Sequence, residues 1–153
     1  MKRILSYVLV GLVVFSLIGM RTVRTGIQGT PSRFHGSYNI FHYYETRGGV
    51  VVSNRDRFNS TLRIERNRVF ISGMTLTIQG TGNQLDNRWL LDNNVIYAEY
   101  YSENMEGYVF PSKNAQGIPF LLFMLYTPRG QSYMISCVDM TTGREYVYSA
   151  HKQ

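Results

Sequence analysis

Cysteine, histidine and lysine are scarce in this chain of 153 residues. The single cysteine, Cys137, excludes an intramolecular disulfide and any cysteine-rich zinc site. The only histidines are His35, His42 and His151, and no H-x-H, H-E-x-x-H or C-x-x-C spacing is present, so nothing in the sequence supports a metal centre. A histidine-activated serine or cysteine nucleophile calls for a histidine and a carboxylate brought beside it. His35 falls at a linker junction and His151 at the C-terminus, while His42 lies on an aromatic strand with nothing to mark a nucleophile for it. Its simpler reading is a hydrogen-bonded structural histidine. Glu99 and Glu103 would stand about 13 Å apart along a strand, too far for either glycosidase geometry. Gly48 and Gly49 begin neither phosphate-loop pattern. An enzyme is therefore not expected, nor is a cofactor.

One apolar run is long enough to concern a membrane. Ile4 to Met20 carries no charge, follows Lys2 and Arg3, and ends at Arg21 and Arg24. Its length is at the short end for a spanning helix and beyond the usual signal-peptide core. The small residues a signal peptidase needs are poorly placed around Ser16 and Gly19, and Met20 stands where a lipobox would require cysteine. Lys2, Arg3 and the terminal amine outweigh Arg21 and Arg24, which favours an N-terminus inside and the domain outside. The expectation is a single N-terminal transmembrane helix over residues 4–20, anchoring an extracytoplasmic domain in a bacterial envelope. Signal cleavage and secretion is the alternative. The chain divides into 1–20 as anchor or signal segment, 21–33 as a linker rich in Thr, Gly, Pro and Ser, and 34–153 as the folded domain.

What the chain has in abundance is aromatic: 12 Tyr, 8 Phe and 1 Trp, a composition that favours strands. Beyond Phe34, alternation with period two recurs and a helical period does not. Residues 37–46 alternate, as do 57–72 around a turn at Arg66-Asn67-Arg68, and 74–79 follow before Gly80 ends the run. Residues 88–103 read as a short strand, a turn at Asp92-Asn93-Asn94 and a longer strand. Residues 108–112, 132–140 and 145–150 continue the rhythm. Residues 117–126 are apolar at both parities, the mark of a strand covered on both sides. The fold class is all-β: a small antiparallel meander of about eight strands closed into a barrel, with a sandwich as the alternative.

The net charge is +6, and Arg supplies most of it. Arg47, Arg55, Arg57, Arg63, Arg66 and Arg68 fall within one short stretch whose turns gather them into a rim. Such a rim, close to the anchor, suits phosphate-bearing lipid headgroups; its plainer meaning is a solvated face. Nucleic acid is not expected as a partner.

The opening of the domain, "FHGSYNIFHYYE" at 34–45, resembles the start of a lipocalin or related calycin-type barrel. In that family a Gly-x-Trp on the first strand closes one end of the barrel, and Gly36-Ser37-Tyr38 stands here with Tyr for Trp. The resemblance implies an eight-stranded up-and-down barrel whose mouth receives a small apolar ligand. Tyr38, Ile40, Tyr44, Leu62, Ile64, Tyr97 and Tyr101 would line the wall, and Arg63, Arg66 and Arg68 would meet a headgroup. Barrels of this size are equally able to be filled by their own side chains. Two functions follow. One is a membrane-tethered, non-enzymatic domain binding a lipid or other small apolar ligand. The other is a structural or interaction subunit docking on another envelope protein through an aromatic-rich surface.

Overall fold

A computed structural model describes residues 21–55, 59–92, 104–127 and 132–152. Its strands are β1 (Thr22–Ile27), β2 (Gly36–Arg47), β3 (Val50–Arg55), β4 (Ser60–Ile64), β5 (Arg68–Ile71), β6 (Met74–Ile78), β7 (Gly82–Leu85), β8 (Glu106–Lys113), β9 (Pro119–Thr127), β10 (Ser132–Asp139) and β11 (Glu145–Lys152). A 3-10 turn (Ser32–Phe34) precedes β2, and a short helix, α1 (Asn87–Asp92), follows β7.

Eight strands form a closed antiparallel barrel in the order β2-β4-β5-β6-β8-β9-β10-β11. The β8–β9 ladder completes the wall, and β11 pairs with β2 to join the last strand to the first. The expected barrel is therefore present and the sandwich is not. Two strands divide one edge between two partners. β2 pairs with β4 through Gly36–Ile40 and with β3 through Tyr43–Arg47. β8 pairs with β6 at Ser112 and Lys113 and with β7 over Gly107–Val109. The β2–β3 hairpin and the β7–β1 ribbon are the two additions to the ring.

Residues 21–33, read as a linker, are the strand β1 and the 3-10 turn. Thr22, Arg24 and Ile27 lie opposite Leu85, Gln84 and Gly82, and Arg21 O accepts a hydrogen bond from Asp86 N at 2.9 Å. Arg88–Leu91, read as a strand, is helical. The Asp86 carboxylate accepts from the Arg88 and Trp89 N–H groups at 2.9 and 3.3 Å, capping α1 at its N-terminus. The strand expected after it, with Tyr97 and Tyr101, and the apolar segment 4–20 lie outside the described residues. Among the described residues no helix is long and apolar enough to cross a membrane.

Alternation fills the barrel. Tyr38, Ile40, Leu62 and Ile64 point inward as parity requires, joined by Val69, Ile71, Leu76, Phe110, Leu122, Met124, Ile135 and Cys137, all almost fully buried. One end is sealed from outside the strand pattern. Phe34, carried by the 3-10 turn, sets its ring 5.7 Å from Tyr108, 4.9 Å from Tyr126 and 5.6 Å from Tyr133. The Tyr38 hydroxyl donates to Phe34 O at 2.7 Å, and its ring lies 4.7 Å from Tyr133.

A second apolar layer covers the outer wall. Leu85, Leu90, Met105, Val109 and Leu125 are buried together, with Trp89, Leu121, Phe123 and Met134 packed against them. β9 thus meets the barrel interior through Phe120, Leu122 and Met124 and this outer layer through Leu121, Phe123 and Leu125, which is why its sequence is apolar at both parities.

Cys137 sits in the inner core with no exposed surface, and burial pushes its thiol up from its ordinary value. The native protein is accordingly expected to leave an aromatic disulfide reagent unconsumed at pH 8 and to release one thiol on unfolding in guanidinium. Stoichiometric reaction of the native chain within minutes would contradict this placement.

Candidate functional site

The groove at the barrel end sealed by Phe34 gathers charge. It encloses about 680 Å³ between the loop that follows β1, the start of β8 and the β4–β5 turn. The loop is held by backbone. Thr30 N donates to Arg66 O at 2.8 Å, and the Thr30 hydroxyl donates to Glu65 O at 2.8 Å. His35 Nε2 stands 3.1 Å from Thr30 O and 3.0 Å from Thr30 Oγ1. Since a carbonyl only accepts, Nε2 carries the hydrogen in this arrangement. His35 therefore braces the loop.

Arg24, Arg33 and Arg66 line the groove, and Glu106 is its one carboxylate. Glu106 is engaged: Arg33 Nη2 donates to its Oε2, and the Tyr108 hydroxyl donates to the same oxygen at 3.3 Å. That hydrogen bond from Arg33 and the attraction of Glu106 hold the Arg33 pKa above its ordinary value. Tyr108, with its ring in the core, is also pushed up, first by burial and then by Glu106. Arg24 and Arg66 are exposed, and neither has a carboxylate partner among the described residues. The groove thus carries two uncompensated guanidinium groups, donors suited to a phosphate or carboxylate.

The residues expected to form a ligand site are dispersed. Tyr38 is inside the barrel, its hydroxyl spent on Phe34 O. Tyr44 faces outward, not inward. A register shift where Ala150 pairs with Ile40 and Ser149 with His42 inserts Phe41 as an extra residue, so Tyr43 takes the inward parity and packs 5.1 Å from Tyr148. Tyr44 instead lines a cavity of about 150 Å³ on the outer wall, with Leu90, Phe123, Leu125, Met134 and Glu145 among its neighbours. Arg63 and Arg68 share Glu65 at 3.3 and 3.5 Å and lie over the Phe70 ring at 4.2 and 5.7 Å. Arg66 alone of the three enters the groove. Tyr97 and Tyr101 lie outside the described residues. His42 is hydrogen-bonded to Asn54 Oδ1 at 2.9 Å.

Arg24, Thr30 and Arg33 were not anticipated as site residues, because residues 21–33 read as linker, and His35 was set aside for its place at the linker junction. The Arg21–Arg24 pair and the lone Pro31 between Thr30 and Ser32 were the available signals. Among the described residues no group of three or more His, Cys, Asp or Glu side chains could hold a metal ion. No family model matches the chain, and neither a curated protein nor a solved structure does.

Proposed function

We propose that the chain is a non-enzymatic binding domain, tethered through residues 4–20 on the extracytoplasmic face of a membrane, whose groove takes the phosphate of a lipid headgroup. The observation that carries this reading is the pair Arg24 and Arg66, both in the groove and both without a carboxylate partner among the described residues. Position supports it. Arg24 is four residues beyond Met20, so along an extended strand it stands about 13 Å from the end of the apolar segment, within reach of a headgroup layer. The lipocalin resemblance implies an apolar ligand inside the barrel. Here the interior is occupied by Phe34, Phe110, Met124 and their neighbours, so the proposal moves lipid contact to the outside.

The test is native mass spectrometry of the full chain in non-ionic detergent, titrated with short-chain phosphatidylglycerol and phosphatidylcholine. The anionic lipid is expected to bind more tightly and to weaken with salt. Arg24→Ala combined with Arg66→Ala should reduce its affinity about thirtyfold, at about 1 kcal/mol for each arginine. Equal affinity for the two lipids, or a double variant that binds like the parent, would remove this reading.

A further inference from the structure

The β2–β3 hairpin leaves a strand edge open. Gly48 and Gly49, with φ of 59° and 79°, make a two-residue turn that returns the chain as β3, Val50 opposite Arg47. β3 pairs with β2 alone, so among the described residues its other row of N–H and C=O groups meets no strand. Val50, Val51 and Val52 are 64%, 56% and 54% exposed. Exposed edges are ordinarily blunted by lysine, proline or a bulge; β3 contains neither lysine nor proline, and its one irregularity is a register shift against β2 that leaves Val52 as an extra residue between Val51 and Ser53. An edge that is apolar and unpaired offers what strand addition requires: main-chain hydrogen bonds, with side chains to read alternate positions.

Charge selects among occupants. Arg47 at the turn and Arg55 at the far end of β3 are both exposed, and neither has a carboxylate partner among the described residues. Among the described residues the nearby carboxylates are engaged elsewhere: Glu45 is taken by Arg144 at 2.9 Å and accepts from the Tyr43 hydroxyl at 3.1 Å, and Glu145 accepts from the Thr46 and Ser136 hydroxyls at 3.2 and 2.5 Å. The valines are thus bracketed by two positive charges. A second copy of this chain fits poorly. An antiparallel pairing that laid valines on valines would bring Arg55 of each copy to the other's turn, where Arg47 sits, and like charges placed opposite each other destabilise a ladder. We infer that β3 receives an extended segment of a partner protein, apolar at alternate positions and carrying carboxylates at both ends. This is independent of the headgroup groove, which lies at Thr30 and Arg66.

Fluorescence anisotropy on the full chain in detergent tests it with two labelled nonapeptides, EDVTVTVDE and KKVTVTVKK. The acidic peptide is expected to bind at least tenfold more tightly, with the preference shrinking as salt rises. Val51→Asp, at an exposed position, should keep the melting temperature and lose the acidic peptide at least tenfold. Arg47→Ala with Arg55→Ala should leave the two peptides nearly equal. The inference is overturned if neither peptide binds at millimolar concentration, if both bind alike to the parent chain, or if Val51→Asp changes nothing. Concentration-dependent dimers abolished by Val51→Asp would also overturn it, by seating a second copy on the edge.

Discussion

Phe34→Ala is expected to lower stability by about 3–5 kcal/mol, the cost of emptying a buried aromatic site that cannot collapse. The ring is 1% exposed and is shared among Tyr108, Tyr126 and Tyr133, which belong to three different barrel strands. None of these strands can move inward without breaking its own ladder, so the void persists. The loss would also reach Tyr38, whose hydroxyl is oriented by Phe34 O. Phe34→Leu keeps most of the volume and should cost less than half as much. Urea unfolding of the full chain in detergent, followed by near-ultraviolet circular dichroism, measures both. A loss below 1 kcal/mol for the alanine variant would mean that the barrel end is not held by this ring.

Gly82→Ala is expected to cost about 3 kcal/mol, the upper part of the range for overpacking. A Cβ at this position would stand 2.2 and 2.4 Å from two carbons of the Phe110 ring and 2.7 Å from Val109 O. The carbonyl belongs to the β8 backbone, and the Phe110 ring is completely buried, so neither has room to give. The β7–β8 and β1–β7 ladders both run through this point, Asn83 opposite Val109 and Ile27 opposite Gly82. Strain here should therefore loosen the ribbon that carries Arg24. Gly82→Ala combined with Phe110→Leu should recover part of the loss, a coupling that a double-mutant cycle reads directly. Full additivity of the two changes would contradict the close approach.

The barrel was legible because alternation is a local property. Tyr38, Ile40, Leu62 and Ile64 face inward where simple counting places them. Counting fails at Phe41, where one extra residue reverses the face of everything after it: Tyr44 goes outside and Tyr43 comes in. A bulge depends on the partner strand, so nothing in "NIFHYY" announces it. α1 was missed because six residues are too few for a helical period, and its one local signal was the cap at Asp86. β1 was missed because its Thr and Gly content reads as loop, whereas β7 supplies the backbone partners that make it a strand. The candidate site suffered most from this. Arg66 was singled out on charge alone and does line the groove, but Arg63 and Arg68 are matched by Glu65 on the outer face of the barrel. Most of the remaining groove residues come from the supposed linker, with Gln84, Glu106 and Tyr108 added from β7 and β8, and only the tertiary fold brings Thr30 to Arg66.

The ladder between β2 and β11 sets the order in which this chain is able to mature. Thr46 and Glu145 are 99 residues apart in sequence and hydrogen-bonded in the fold. The first barrel strand to emerge during synthesis therefore waits for the last before the ring shuts, and the closure entropy of that long span is met late. Until then the edge of β2 that β11 covers, Tyr43 and Tyr44 included, remains available to any other strand in the vicinity. A nascent chain stalled before residue 145 would hold an open sheet, and truncation in β11 would leave β2 and β10 without the strand that lies between them. The eight residues of β11 are thus the keystone of this barrel, since both the β10 and the β2 ladder depend on them.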